Sequence, residues 1–297
     1  MASLQHLDLL TLSAFIVSGI FAWSMGHHYA GAVVGPAFGG GAVSLYRGLY
    51  MASVFVVIGS LATPVVGTYA SLAGLSTAGF FVAMLSASIA TSIATWLRIP
   101  TSTIQIYGFS IVGVPISERA SMDLGVLARI AASRILAPLI AYTISPAFYR
   151  INLNPGRALI TTMLLSALAL GMNDVSNAAS SIVGMGHPEL LAKAYAGSLM
   201  ALGLITWGRR LVRTIGGEMG AISPRSYLAA HITKIAPLLM LNTLGLNASM
   251  NQTLVAALAR LGAERRVVMR IVAGWIYSPL IGLTISFSIS SLASIYL

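Results

Sequence analysis

The sequence predicts an all-α polytopic membrane protein with about 10–12 membrane segments, arranged as two inverted repeats that contain broken or re-entrant helices. Three observations support this fold class. The 297 residues are 57% hydrophobic and only 8% charged, whereas soluble proteins carry about 25% charged residues. No Asp, Glu, Lys or Arg occurs between Asp8 and Arg47 or between Arg47 and Arg98. The third observation is that the two halves of the chain resemble each other.

Each charge-free run can hold more than one membrane-spanning helix, since one span needs about 20 apolar residues. The segments that are apolar enough for a span are 7–25, 50–69, 78–96, 124–148, 195–207, 228–244 and 271–297, the last being one span or a pair. A polar stretch at 149–157 is predicted to link the repeats, about 1–148 and about 157–297, within one integral membrane domain, 1–297.

The charge balance indicates a membrane protein rather than a nucleic-acid-binding protein. The net charge of +10 comes almost entirely from arginines, which cluster at the ends of the apolar segments. Arginines in these positions anchor helix ends and orient membrane proteins. There are no cysteines, so disulfides are excluded. Because no basic flank precedes the first apolar run, we expect no cleaved signal peptide, and we expect a multi-pass protein of the cell membrane in contact with the lipid bilayer.

Two polar stretches predict interruptions in the membrane helices of the first half. The segment 26–31 contains two histidines and two glycines, and 35–41 is rich in glycine and proline. A broken helix at membrane depth is tolerated only where it lines a cavity or the protein interior. We therefore expect a broken helix that lines a site in this region.

A second feature of the first half is a predicted half-helix that begins near Pro100. Proline suits the first turn of a helix, and Thr101, Ser102 and Thr103 place hydroxyl groups beside the free N–H groups of that turn. Such a helix N-terminus can bind an anion. The apolar piece at 106–116 is too short to cross the membrane, which predicts a re-entrant helix. The alternative is that these small polar residues only pack between helices.

The internal similarity pairs residues at nearly constant offsets. Gly26 matches Gly171 at an offset of 145 (171 − 26), and the segments 100–105 and 247–252 match each other. The spacing from an arginine to a proline is also shared by 129–138 and 270–279. Paired repeats with interrupted helices at corresponding positions indicate a secondary transporter whose site lies near the bilayer midplane. The inverted topology is an inference from this pattern.

The segment 171–178 carries the most costly side chains in the predicted membrane region. Asp174 is one of only seven acids, and Asn173 and Asn177 flank it. An ionisable residue in a membrane segment indicates a functional site, and these oxygen ligands suit Na⁺ or a proton. We therefore predict a coupling-ion site here, with Na⁺ held at Asn173 and Asp174. The alternatives are a polar loop between two shorter helices, or a cap for the following helix.

The predicted oxyanion ligands come from both half-helix starts. No arginine lies in either motif, so binding would depend on hydroxyl groups, amides and helix N-termini. The substrate-binding residues predicted in this way are Thr101, Ser102, Thr103, Ser249, Asn251 and Gln252.

These motifs resemble those of the inorganic phosphate transporter family. The segment 171–178 resembles its G-A-N-D-V-A-N-A signature, 100–103 its half-helix start, 35–42 its first-repeat G-P-x-x-G-S-G-A, and 274–279 its last span. The resemblance covers nearly the whole chain. It implies an inverted-repeat fold, a homodimer, and transport of phosphate or a related oxyanion together with Na⁺ or H⁺.

The first signature departs from the family pattern. Where the family has Asn-Asp, this chain has His28 and Tyr29, and Ala32 replaces the second asparagine. Sulfate permeases of the same superfamily resemble this chain in that departure. We hypothesise that His28, or its neighbour His27, takes over part of the coupling, since an imidazole titrates near neutrality. The alternative is a neutral histidine that is hydrogen-bonded in the interior.

The sequence therefore predicts a secondary active transporter of a tetrahedral inorganic oxyanion. Phosphate is the first candidate because it is the more frequent substrate in the family that the chain resembles, and a proton-coupled sulfate permease is the second because the first signature departs from the family pattern. A site with an acceptor for the phosphate hydroxyl rejects sulfate, whereas an all-donor site prefers it. A second carboxylate would favour phosphate, and this chain lacks the first-repeat one. An anion channel is the candidate from another class. An enzyme is disfavoured, since the paired histidines have no acid nearby in the sequence to complete a metal site. We expect no cofactor beyond the coupling ion.

Overall fold

The computed structural model describes residues 2–62, 75–118, 124–235, 237 and 248–296. Their secondary structure is helical, which confirms the predicted all-α class. The first half contains α1 (Ala2–Gly39), α2 (Leu45–Ala62), α3 (Thr77–Trp96), α4 (Thr103–Glu118) and α5 (Leu124–Tyr149). The second contains α6 (Pro155–Gly184), α7 (Glu189–Trp207), α8 (Arg209–Arg213), a π-helical turn (Thr214–Glu218), α9 (Pro224–Thr233), α10 (Met250–Arg260) and α11 (Arg265–Tyr296).

Six of the described helices are long and apolar enough to cross a membrane: α2, α3, α6 and α7, with most of α5 and α11. The last apolar segment forms one helix rather than a pair. Helix α4 has only 16 residues, in agreement with the predicted short helix. The predicted spans 50–69 and 228–244 and the polar loop 118–123 run into 63–74, 238–247 and 119–123, which lie outside the described residues. The total number of spans stays a prediction.

The expected break at 26–31 is wrong. Helix α1 continues through this segment to Gly39, although Pro36 lies inside it. The signature at 171–178 is likewise helical, because α6 runs without interruption from Pro155 to Gly184. The alternative of a polar loop at 171–178 is therefore also wrong.

Close packing between helices explains the signature glycines better than helix breaking does. A Cβ atom on Gly26 would lie 1.9 Å from the backbone oxygen of Met200 in α7. A Cβ atom on Gly171 would lie 2.1 Å from the backbone oxygen of Val56 in α2. Small residues let membrane helices approach each other closely. The two glycines therefore fix α1 on α7 and α6 on α2, so each half contributes one helix to each contact.

The packing places the signature helices at the centre of the described chain. Helix α1 contacts α3, α6, α7 and α10, and α6 contacts α1, α2, α7 and α9. Helix α4 packs mainly against α11 and α3, while α10 packs against α5 and α9. The first turns of α4 and α10 are thereby brought to the signature helices. The inverted relation of the two repeats stays a prediction.

Candidate substrate and ion site

The two half-helices begin with the same local structure. The Ser102 hydroxyl accepts a hydrogen bond from the Gln105 backbone N–H in α4 (3.2 Å), and the Ser249 hydroxyl accepts one from the Gln252 backbone N–H in α10 (3.4 Å). Both serines therefore act as N-caps, which satisfy a backbone donor of the first turn. Helix starts near both predicted positions are confirmed, and these serine hydroxyls stabilise them. Pro100 is not in the first turn as predicted, because α4 begins at Thr103 and Pro100 precedes its N-cap.

The starts of α4 and α10 contact each other directly. The Asn251 amide nitrogen donates to the backbone oxygen of Thr101 (2.7 Å), and the Gln252 amide nitrogen donates to the side-chain oxygen of Gln105 (3.1 Å). The six predicted substrate residues are all buried in this region: Thr101, Ser102, Thr103, Ser249, Asn251 and Gln252. The structure therefore brings together two groups that lie about 150 positions apart in the sequence.

Helix α11 fixes the start of α4. The Trp275 indole N–H donates to the backbone oxygen of Pro100 (3.0 Å), and the Gln105 amide nitrogen donates to the backbone oxygen of Trp275 (3.5 Å). That oxygen is available because residue 279 is a proline, which has no N–H to continue the helical hydrogen bonds. A proline predicted within the last span therefore has a specific effect on the site.

These contacts determine the orientation of three amide side chains. A backbone carbonyl only accepts, so the nitrogens of Asn251 and Gln105 must face their carbonyl partners. The oxygen of Gln105 then faces Gln252, whose nitrogen is the donor. As a result, the side-chain oxygens of Asn251 and Gln252, which lack a partner among the described residues, are available to accept hydrogen bonds from a ligand.

The residues that replace the first family signature hold the start of α4. The Thr101 backbone N–H donates to His28 Nε2 (3.0 Å), and the Thr103 hydroxyl donates to the Tyr29 hydroxyl (2.8 Å). His28 Nδ1 lies 2.7 Å from the Thr95 hydroxyl oxygen. His28 Nε2 also lies 3.2 Å from the Thr101 backbone oxygen. Since the Thr101 N–H can only donate and makes the shorter contact, we place the proton on Nδ1, which donates to Thr95. The assigned tautomer is a neutral imidazole that positions α4.

His27 points away from the start of α4. Its ring lies edge-on to Trp23 and Trp207, with ring centroids 4.6 and 5.1 Å away. Its Nδ1 is 3.0 Å from the Thr95 hydroxyl oxygen and its Nε2 is 3.3 Å from the Ser92 hydroxyl oxygen. Since Thr95 accepts from His28, its O–H donates to His27. The two histidines thus share one hydroxyl group, and the hydrogen bond to Thr101 just before α4 comes from His28.

Asp174 is the only acid that is buried among the described residues. The Tyr29 hydroxyl makes a hydrogen bond to its carboxylate, and the positive charge of the Arg134 guanidinium interacts with the carboxylate electrostatically. Its Oδ1 atom has no hydrogen-bond partner within the described parts of the chain. Asn177 is buried beside it, and its amide nitrogen lies 3.5 Å from the Asp174 backbone oxygen. The structure therefore unites Asp174 with Tyr29 and, through that residue, with the start of α4.

Asn173 does not join this cluster. It is exposed on α6, whereas Asp174 is 5% exposed. Successive residues of an α-helix point about 100° apart, so the two side chains diverge. Of the Na⁺ ligands predicted at Asn173 and Asp174, only Asp174 lies in the buried cluster.

Several buried polar atoms around the start of α4 lack a partner among the described residues. They are Thr101 Oγ1, Asn251 Oδ1, Gln252 Oε1 and Asp174 Oδ1. About 90% or more of the buried polar groups in proteins have a hydrogen-bond partner. A concentration of atoms without one, next to two helix N-termini, indicates a ligand site.

A cavity of about 240 Å³ lies between the start of α3 and the end of α6. Its lining includes the polar residues Ser76, Thr77, Ser180 and Ser181. Ser181 follows Asp174 by seven residues, or about 10 Å along the helix at 1.5 Å per residue. The cavity therefore lies beside the same helix as the carboxylate, about two turns further along it.

Sequence reasoning missed Tyr29, Thr95, Gln105 and Arg134 as site residues. Arg134 carried a usable signal, because a charge in the middle of the predicted span 124–148 indicates function or a buried partner. Tyr29 was noted only as a departure from the family signature. The contacts of Thr95 and Gln105 depend on tertiary packing and have no signal in the sequence.

We expect His28→Ala to destabilise the protein and weaken substrate binding without shifting the pH profile of uptake. The substitution leaves the buried Thr101 N–H without an acceptor, which costs about 1–3 kcal/mol. Thermal unfolding and the KM and pH dependence of uptake would measure these effects, with His187→Ala, a partly exposed histidine, as the control. A displaced pH profile would instead assign His28 to proton coupling.

A buried carboxylate at the meeting point of two half-helices, inside a bundle of membrane-spanning helices, defines a membrane transport protein. Comparison with known sequences identifies the family of transport proteins to which the chain belongs. A sequence model of the phosphate transporter family matches residues 25–155 and 150–286, so the chain belongs to that family and is a multi-pass membrane protein. The resemblance found in the signature motifs is thereby confirmed.

Relatives of this chain include proteins named for two different anions. The chain is 25% identical to the sulfate permease CysP of Bacillus subtilis, in an alignment covering 95% of this chain and 88% of that protein. It is 24% identical to a protein of Methanocaldococcus jannaschii that is named as a phosphate permease, covering 93% and 95%. The solved structure of a sodium-dependent phosphate transporter superposes with a TM-score of 0.82 and 16% identity, covering 97% of this chain and 100% of that one. At this identity, the superposition shows a shared fold.

Proposed function

We propose that this protein is a secondary active transporter that carries inorganic phosphate together with a cation. The observation that supports phosphate most directly is the acceptor character of the site. The amide orientations of Asn251 and Gln252 leave oxygens for the ligand, and Asp174 Oδ1 is a further acceptor. Phosphate at neutral pH carries at least one hydroxyl group that can donate to such oxygens, whereas sulfate carries none.

The donors for the phosphate oxygens would come from the start of α4 and α10. The Thr101 hydroxyl is buried without a partner among the described residues, and both half-helices direct the positive ends of their dipoles toward this region. Together with the acceptor oxygens, these groups would bind a partly protonated tetrahedral anion. Discrimination against sulfate would follow from leaving buried acceptors unpaired, a cost that makes such sites selective.

Asp174 is the proposed carrier of the coupling ion, and a proton fits its surroundings better than Na⁺. Sodium requires several oxygen ligands, and the predicted ligand Asn173 is exposed. A proton needs only the Asp174 carboxylate. In this proposal Asn177 supports the local structure, His28 positions α4, and no other cofactor takes part.

Sulfate is the second candidate, because the sulfate permease CysP aligns with 95% of this chain. The protein in this case would use the same half-helix starts with reoriented amides. The homodimer implied by the family resemblance is also a proposal, and cross-linking in membranes would test it. We propose that the protein acts in the cell membrane.

Uptake into proteoliposomes separates these candidates. Radiolabelled phosphate and sulfate would be offered under a pH gradient and under a Na⁺ gradient, each imposed alone. We expect phosphate to accumulate with the pH gradient and sulfate to compete weakly. Accumulation of sulfate in preference to phosphate would reverse the substrate assignment. Anion currents without trans-stimulated exchange would indicate a channel.

A further inference from the structure

A buried lysine lies outside the site described so far. Lys234 follows α9, its side chain is wholly buried, and its ammonium donates to the backbone oxygen of Ala32 in α1 at 2.5 Å. Lysine is almost never fully buried unless it is paired. The ion pairs found among the described residues involve Glu189 and Glu218, and none of them includes Lys234. Among the described residues, the ammonium is therefore paired with a carbonyl oxygen rather than with a carboxylate.

Pro36 explains why that carbonyl is available. In an α-helix, the oxygen of Ala32 would accept from the N–H of residue 36. Residue 36 is a proline, which has no N–H. Within the membrane, a carbonyl released from the helix must find another donor or bind a cation. Helix α1 thus carries a carbonyl suited to a cation, and the Lys234 ammonium occupies it.

The surroundings of Lys234 form a polar cluster between α1, α6 and α9. His231 lies one turn before Lys234, and its ring nitrogens are 3.0 Å from the Thr162 hydroxyl and 3.2 Å from the Ser166 hydroxyl of α6. These partners are neutral. The positive charge that interacts with Asp174 belongs to Arg134, not to Lys234. The Lys234 cluster is therefore separate from the coupling carboxylate.

We propose that the Lys234 ammonium is a tethered monovalent cation at the carbonyl released by Pro36, and that it takes the place of a dissociable ion on α1. The ammonium supplies the positive charge and the donor that a bound alkali ion would supply to the Ala32 carbonyl. Because it is covalently attached, it is not released during a transport cycle. The inference concerns a position separate from the Asp174 site, and it rests on the proposed function only where uptake is measured.

A double-mutant cycle in thermal stability tests the contact independently of transport. The variants are Lys234→Met, Pro36→Ala and the two combined. Each single change should lower the Tm of the purified protein by several degrees. Lys234→Met removes the hydrogen bond of the lysine to the Ala32 carbonyl, which His231 also contacts. Pro36→Ala adds an N–H that competes with the ammonium for the same carbonyl. The combined variant should lose much less than the sum, since the new N–H at residue 36 restores the helical hydrogen bond to Ala32.

The matched control combines Lys234→Met with Pro138→Ala, a proline inside α5. This pair should be additive, because distant substitutions without shared partners act independently. Additive losses for Lys234→Met and Pro36→Ala as well would overturn the proposed contact.

Cation rescue tests the tethered-ion role. Lys234→Ala leaves room beside the Ala32 carbonyl, so ammonium, methylammonium or Na⁺ should stimulate its phosphate uptake severalfold over choline, while wild-type uptake should not respond in this way. Lys234→Met fills the same space and should not be rescued. The tethered-cation role of Lys234 would be overturned if Lys234→Ala took up phosphate at the wild-type rate in choline. It would also be overturned if none of these cations stimulated uptake by the folded variant. If wild-type protein carried no phosphate, the proposed function would fail and the stability cycle would still decide the contact.

Discussion

Replacing Asp174 by asparagine should abolish concentrative phosphate uptake. The substitution keeps the size of the side chain but removes the only buried acid of the described residues. Losing a charged ligand costs about 3 kcal/mol, which corresponds to about 100-fold in rate or affinity. The measurement is the initial rate and final level of radiolabelled phosphate uptake in proteoliposomes under an inward pH gradient. Exchange of phosphate without a gradient should survive better than accumulation, because asparagine keeps an acceptor oxygen for the phosphate hydroxyl but cannot carry the coupling proton.

Two variants serve as comparisons for this result. Glu264→Gln removes an exposed acid and should retain uptake. Asn173→Ala alters the exposed neighbour of Asp174 and should have a much smaller effect than Asp174→Asn. Accumulation of phosphate by Asp174→Asn at the wild-type level would refute the coupling role, and equal losses at Asn173 and Asp174 would restore the ligand pair predicted from the sequence.

The second large effect is expected for Thr101→Val. Valine has nearly the shape of threonine but lacks the hydroxyl group, which is buried at the start of α4 without a partner among the described residues. A hydrogen bond to a charged ligand contributes about 1.5–3 kcal/mol, so the KM for phosphate should rise about 10- to 100-fold. The maximal rate should change less, since the group binds substrate rather than the coupling ion.

Thr253→Val is the matched control for Thr101→Val. The Thr253 hydroxyl is buried in α10 and donates to the backbone oxygens of Ser249 and Met250 in its own helix. It is therefore not available to a ligand, and its loss should leave the KM nearly unchanged. A similar rise in KM for both variants would show that the effect comes from helix packing, the alternative considered for these hydroxyl groups.

The half-helix starts could be predicted because their signals are local. The hydroxyl residues after Pro100, and the polar start at Ser249, specify helix N-termini through side-chain and backbone hydrogen bonds within a few residues. The helix break expected at Gly26 is wrong for the opposite reason. A glycine between apolar residues is compatible with a break or with a close helix contact, and only the positions of Met200 and Val56 on other helices distinguish the two.

Within the single motif that forms the ion site, one residue could be predicted from the sequence and another could not. The sequence indicated Asp174, because an acid in a membrane segment is costly without a function. It also indicated Asn173, whose amide oxygen could bind a cation but whose side chain is exposed on α6 rather than buried beside Asp174. The direction of a side chain from a helix becomes meaningful only when the neighbouring helices are in place. The same is true of Tyr29, which reaches Asp174 and Thr103 from α1.

By itself, the sequence determined that this chain is a helical membrane protein of the phosphate transporter family with one costly carboxylate and two polar helix starts. These properties follow from apolar length, charge content and local capping, all of which depend on neighbours in the chain. The tertiary structure decided which polar atoms remain for a ligand. The amides of Asn251 and Gln252 are oriented by carbonyls of the opposite half, and the partner of Lys234 is a carbonyl released on α1. Hydrogen bonds between residues so far apart in sequence are fixed by helix packing.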